Sequence, residues 1–211
     1  MFCKMGRVRF PWKLVAFLLL ASAPQWTSAA AQSPLSVIQS GTEKAINLLH
    51  SSRLGQAPAL HQRRGEILAI VDEYFNFEEM AKRALGRPWK DQPTEKRQEF
   101  VKLFKQLLFN TYINRVESYT GSNEHIAYDS EKIDGDYAVV KTHVALQGDQ
   151  HVQIDYRLRQ EEGQWKVYDV VVEGISFVDN YRGQFSSILA NEPFEGLLKK
   201  LREKVDQNSN S

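Results

Sequence analysis

The sequence predicts an α+β domain in which a curved, four-stranded antiparallel meander carries helices on its apolar face. Three observations predict it. Apolar residues recur at helical spacing up to Val116, the period changes to two from His125, and helical spacing returns after Gly174. Between those points the runs Asp134-Gly135-Asp136, Gln147-Gly148-Asp149 and Glu161-Glu162-Gly163 are turn signals that divide the segment into four strands of about ten residues each.

The chain opens with Lys4, Arg7, Arg9 and Lys13, then the apolar run Leu14 to Ala21, then the small residues Ser28-Ala29-Ala30-Ala31. This is the order of a secretory signal peptide, so residues 1–31 are expected to be removed on export. The apolar run is far shorter than the roughly 20 residues that a spanning helix requires. Cys3 is the only cysteine and falls inside the leader, so the mature chain has no disulfide framework, thiolate metal site or cysteine nucleophile. Without the four leader cations, 23 Lys and Arg face 26 Asp and Glu, interleaved along the chain. That balance argues against a nucleic-acid partner, which calls for a basic surface or stripe. Residues 32–205 read as one domain, and residues 206–211 as a polar tail expected to fray.

Leu35, Ile38, Ala45, Ile46 and Leu49 mark a first helix, and Leu60, Ile67, Leu68 and Val71 a second, beyond a break at residues 55–58. Glu78 to Leu85 is a short helix that Gly86 ends, with Pro88 just beyond. The longest helix spans Thr94 to Val116. Glu95 and Glu99 lie near its positive end, and Phe100, Leu103, Phe104, Leu107, Leu108, Thr111 and Tyr112 form a broad stripe suited to a core. After the strands, Val178, Tyr181, Phe185, Ile188 and Leu189 mark a helix that breaks at residues 191–193. Phe194, Leu197, Leu198, Leu201 and Val205 mark the last one.

If the strand connections each hold an odd number of residues, Ile126, Tyr128, Val140, Val144, Leu146, Val152, Ile154, Tyr156, Leu158, Tyr168, Val170 and Val172 share one face. The other face then carries Lys141, His143, His151, Gln153, Asp155, Arg157, Arg159, Asp169 and Glu173, with Trp165, Val167 and Val171 among them. The last strand is therefore apolar on both sides. In that register Asp155 lies opposite Asp169, a pairing suited to acid-base work, but the polar face reads more simply as a solvated sheet surface. His143, His151 and Asp149 offer zinc-type ligands without a specific spacing to support a metal site. No H-E-x-x-H, G-x-S-x-G or glycine-rich phosphate loop occurs.

Two blocks of sequence resemble a known family. Tyr74-Phe75-Asn76-Phe77-Glu78-Glu79-Met80-Ala81-Lys82-Arg83-Ala84-Leu85-Gly86, followed by Trp89, is similar to the YFDF-x-x-M-x-x-x-x-LG-x-x-W signature of the toluene-tolerance family, the MlaC-type periplasmic phospholipid-binding proteins. Gly163 to Val170, then Glu173-Gly174-Ile175-Ser176 and Asn180-Tyr181-Arg182 with Phe185, resembles that family's G-x-WKVYDV-x-x-EG-x-S-x-V-x-NYR-x-x-F segment. The similarity spans nearly the whole mature chain; Asn76 stands where the signature has aspartate.

The resemblance implies a non-enzymatic carrier in the periplasm, with phospholipid as cargo, no cofactor, and a hydrophobic pocket enclosed between helices and sheet. It implies two protein partners: an outer-membrane lipoprotein complex, and an inner-membrane ABC transporter with a ring-forming lipid-binding subunit. Combined with the sheet face, it makes Val140, Val144, Ile154, Tyr156, Val170 and Val172 candidate lipid contacts from the strands, and Phe75, Phe104, Leu108 and Tyr112 candidates from the helices. Two other classes stay open on the residues alone. One is a secreted enzyme of a cone-shaped α+β fold with an acidic general base in its pocket, and the other an adaptor whose apolar surface meets a second protein.

Overall fold

The computed structural model describes residues 32–51, 60–118, 125–145 and 151–209. The leader, the break at residues 55–58, Leu146 and the turn at residues 147–149 lie outside them. Helices α1 (Pro34–Ser51), α2 (Leu60–Tyr74), α3 (Phe77–Leu85) and α4 (Thr94–Ser118) precede strands β1 (His125–Asp134), β2 (Tyr137–Ala145), β3 (His151–Glu161), β4 (Gln164–Val172) and β5 (Ile175–Ser176). Helices α5 (Phe177–Leu189) and α6 (Phe194–Ser209) close the chain, and a 3₁₀ turn (Arg87–Asp91) links α3 to α4. Beyond the four expected strands, a fifth of two residues folds back to pair Ile175 with Val172 and Ser176 with Val171, and α6 runs through Ser209.

Local chemistry explains several boundaries. The Asn76 side-chain oxygen accepts from the Glu79 N–H at 2.9 Å and starts α3, while its amide donates to Glu161 Oε2 at 2.7 Å. An aspartate at this position would keep the first bond and lose the second, so the departure from the family signature matches the carboxylate across from it. Gly86 ends α3 at a φ of 70°, a left-handed conformation that side chains disfavour. Gly41 lets α1 lie flat on Tyr74: a Cβ there would stand 3.1 Å from the tyrosine ring.

All five strands are antiparallel in chain order. The predicted common face is present for Val140, Val144, Ile154, Tyr156, Leu158, Val170 and Val172, whose partners follow from pairs such as Val140 with Tyr156 and Tyr156 with Val170. Ile126, Tyr128 and Val152 share it too, since Ile126 pairs with Val144, Tyr128 with Thr142 and Val152 with Val144; two bulges break the alternation beyond them. In β4, Arg157 pairs with Asp169 and Leu158 with Val167, so Tyr168 is one residue too many and the pleat reverses there. Trp165 and Val167 thereby join the apolar face, correcting the polar-face expectation, and Tyr168 moves to the other side. The predicted opposition of Asp155 and Asp169 also fails, since Asp155 pairs with Lys141 and Val171. In β1, Asp129 is the extra residue and brings Glu131 opposite Val140, where its carboxylate accepts from the Leu35 N–H at 2.7 Å and supplies the negative charge α1 lacks in its own first turn.

Helix α1 covers the apolar face through Val37 and Ile38. Helices α3 and α5 in addition cover the far side of β4, where the Arg83 guanidinium lies 4.1 Å from the centre of the Tyr168 ring. Helix α2 is clasped to α4 by Arg64 and Arg63 on Glu117 at 2.9 and 3.0 Å, and the Arg64 hydrogen bonds above all hold that carboxyl below its ordinary range. Helix α5 is anchored by Asp169, which is 1 % exposed and accepts from Ser176 Oγ at 2.6 Å, from the Val178 N–H at 3.0 Å and from Arg157 at 3.0 Å.

Replacing Asp169 by alanine strands those buried donors and is expected to cost about 3 kcal/mol. The urea unfolding midpoint of Asp169→Ala against the parent measures it. An unchanged midpoint would mean that packing alone holds α5.

Candidate functional site

A domain of this size usually has one contiguous core. Among the described residues the buried apolar side chains instead form three clusters. The largest belongs to α3 to α6 and the 3₁₀ turn, the second to α1, the end of α2 at Tyr74 and the sheet, and the third to α1, α2 and α4 around Leu49, Ile67 and Ile113. Phe75 and Phe177 pack against both of the larger clusters and mark the seam between them.

The residues along this seam are apolar and only half-buried: Phe75, Tyr112, Ile154, Tyr156, Val172 and Phe177. Tyr112 of α4 stacks on Phe177 at the start of α5, with ring centres 4.3 Å apart and planes 9° from parallel. Phe75 stacks on Phe77 at 5.9 Å, and its backbone bridges to Val167. Tyr128, opposite Thr142 on the same sheet face, hydrogen-bonds the Thr42 hydroxyl of α1. Tyr156 is informative: it keeps accessible surface, yet burial pushes its phenol up to about 12, with Tyr128 nearby adding to the shift. Burial likewise raises the Tyr112 phenol.

The sequence-derived candidates divide accordingly. Phe75, Tyr112, Val144, Ile154, Tyr156 and Val172 are half-buried, and all but Val144 border the seam clusters. Val144 lies on the same sheet face, between Ile126 and Val152. Val140 and Val170 are buried within the sheet cluster. Phe104 and Leu108 are inside the helical cluster; the Phe104 ring is 5.2 Å from Tyr181 and 5.5 Å from Phe185. Phe177 and Tyr128 stand beside these residues without being among the sequence-derived candidates. Tyr128 was legible in the strand alternation, whereas Phe177 sits at a strand-to-helix junction where neither period applies.

The carboxylates weighed for catalysis stand away from the seam. Asp155 and Asp169 are on the opposite face of the sheet, and Asp169 is committed to the start of α5. His143 is paired with Asp129 at 2.9 Å and lies 5.8 Å from the His151 ring, while Asp149 is outside the described residues. Among the described residues no three metal-ligating side chains stand together, and no helix is long and apolar enough to cross a membrane.

A family profile described as MlaC protein matches residues 39–203. The chain belongs to the MlaC family. It is 26 % identical over 201 residues to the intermembrane phospholipid transport system binding protein MlaC of Haemophilus influenzae, covering 92 % of each chain. It is 27 % identical over 174 residues to the toluene tolerance protein ttg2D of Pseudomonas putida, covering 82 % of this chain and 80 % of that one. Its fold matches that of the phospholipid-binding protein from Ralstonia solanacearum, solved in complex with a phospholipid, with a TM-score of 0.72 at 23 % identity over 84 % of this chain and 99 % of the other. The two MlaC-type motif blocks meet in this fold. The Asn76 N–H donates to the Val167 carbonyl at 2.8 Å, Arg83 covers Tyr168, and Arg182 Nε donates to the Arg83 carbonyl at 2.9 Å.

Tyr156 gives this MlaC chain a defined alkaline response. An unfolded tyrosine ionises near 10, and Tyr156 in the folded chain only at about 12. The stability contributed by the neutral phenol is complete below pH 10 and is lost as pH rises from 10 towards 12. Tyr156→Phe is expected to flatten the decline of unfolding free energy across that window, measured by urea titration at stepped pH. A decline identical to the parent's would show that the phenol is open to water.

Proposed function

We propose that this chain is a soluble periplasmic carrier that holds a phospholipid along the seam and moves it between the outer and inner membranes. The observation that carries the reading is the set of half-buried apolar side chains at the seam between the two larger clusters, Tyr156 among them. Membership of the MlaC family supports it, as do the phospholipid-transport protein of Haemophilus influenzae and the phospholipid-binding protein of Ralstonia solanacearum that the chain resembles. In this reading Phe75, Tyr112, Ile154, Tyr156, Val172 and Phe177 touch acyl chains, Val144 extends that wall, Val140 and Val170 back it, and Phe104 and Leu108 form the packed layer behind Tyr112.

Burial of an acyl methylene removes about 0.8 kcal/mol of unfavourable hydration, so a diacyl lipid with some thirty methylenes is held by roughly 24 kcal/mol relative to water. Release into the aqueous periplasm is therefore negligible. Relative to a bilayer the balance is close to zero, because one hydrocarbon medium replaces another. Delivery then requires docking to the membrane components: an outer-membrane lipoprotein complex on one side, and an inner-membrane ABC transporter with its ring-forming subunit on the other. The chain performs no catalysis in this account, and the carboxylates facing away from the seam agree with that.

Protein purified without detergent is expected to carry close to one diacyl phospholipid per chain by native mass spectrometry and lipid phosphorus. Ile154→Glu places a carboxylate among acyl chains and is expected to lower that occupancy about tenfold or more. Lys141→Glu, on the other face of the sheet, should leave it unchanged, with circular dichroism reporting the fold of both. A lipid-free parent protein would overturn the proposal.

A further inference from the structure

On the outer side of the helical layer, α2, α3, the 3₁₀ turn and the first half of α4 border a hollow of about 450 Å³. It shares no lining residue with the seam. Leu68, Trp89 and Val101 supply its apolar lining, and Trp89 is only 6 % exposed. Arg97, Lys102 and Lys105 also line it, against one acid, Glu78.

Many of the chain's cations are engaged by carboxylates; others among the described residues, Lys141 and Lys199 for example, are not, and at the hollow two such cations border a concave apolar lining. Arg202 is engaged by Glu99 and Glu195, Lys96 by the same two acids, and Arg64 by Glu117. At the hollow, Lys105 is paired with Asp72 at 2.6 Å. Arg97 donates to the Gln92 carbonyl at 2.8 Å and lies 5.8 Å from the Trp89 ring centre, which fixes the guanidinium at the rim. Among the described residues neither Arg97 nor Lys102 has a carboxylate partner. A held guanidinium and an exposed ammonium without counter-charge beside a concave apolar surface favour an anionic partner that also brings apolar area to bury.

Shape selects between the two anionic partners that fit this description. A bilayer is flat on this scale and rests on the rim, leaving Leu68 and Trp89 unreached. A side chain projecting from a protein segment enters the hollow while neighbouring carboxylates meet the rim. We infer that this hollow is a protein docking site, and that the partner segment presents an apolar anchor flanked by aspartate or glutamate. The inference stands on the groove alone and does not depend on whether the seam holds lipid.

The test titrates the full chain with a synthetic helical peptide bearing a Leu and Phe stripe flanked by Glu, with its twin carrying Lys for Glu, and with phosphatidylethanolamine–phosphatidylglycerol vesicles. Calorimetry is expected to show the glutamate peptide saturating at one per chain and weakening as salt is added, with no binding by the twin or the vesicles. The double variant Arg97→Glu, Lys102→Glu is expected to weaken the glutamate peptide at least tenfold while circular dichroism and lipid content match the parent. The inference is overturned if the glutamate peptide does not bind, if the twin binds equally, or if the double variant binds as the parent does. Vesicle binding that the same substitutions abolish would also overturn it, by making the patch membrane-facing.

Discussion

Strand β4 has to satisfy two apolar surfaces with one pleat, and the extra residue at Tyr168 is the device on which the rest of the structure depends. Reversing the pleat there places Trp165 and Val167 beside Val170 and Val172 on the face that α1 covers, and sends Tyr168 to the opposite side under Arg83. Both flanks of the strand thereby become anchorage. One carries the sheet cluster, and the other receives α3 and α5. Without the bulge, the indole would sit on the charged face and the helical layer would have no aromatic contact with the sheet at this point.

Carboxylates then fix where the helices begin. Asp169 receives the first turn of α5, and Glu131, brought round by the second bulge, receives the first turn of α1. Each is supplied by a strand rather than by the helix it serves, so helix and sheet are registered to one another and not merely pressed together. Asn76 acts in the same way at α3, with its oxygen on the helix and its amide on Glu161. Asn76 and Asp169 belong to the two family motifs, and the helix that each one starts accounts for a polar residue at that position.

The consequence is a core in separate pieces. Helices and a sheet pinned at its last strand meet at a seam where the aromatic residues Tyr112, Tyr156 and Phe177 stay half-buried. Half-buried apolar side chains forfeit part of the dispersion contact that a closed core would give them.

The sequence by itself determined the elements and their order, because periods of 3.6 and 2 and the turn residues Gly86, Gly135 and Gly163 are local properties. It also determined most of the sheet face: Val140, Ile154, Tyr156 and Val170 alternate within their own strands. Tertiary structure alone decided the bulges at Asp129 and Tyr168, since an inserted residue is defined only against a neighbouring strand, and with them the true positions of Trp165, Val167 and Asp169. It alone separated Phe104 and Leu108, which are sealed among other rings, from Tyr112 one turn further on, which is not. Spacing on a helix gives a residue's direction but not what stands opposite it, and that distinction is what divides closed core from cavity wall.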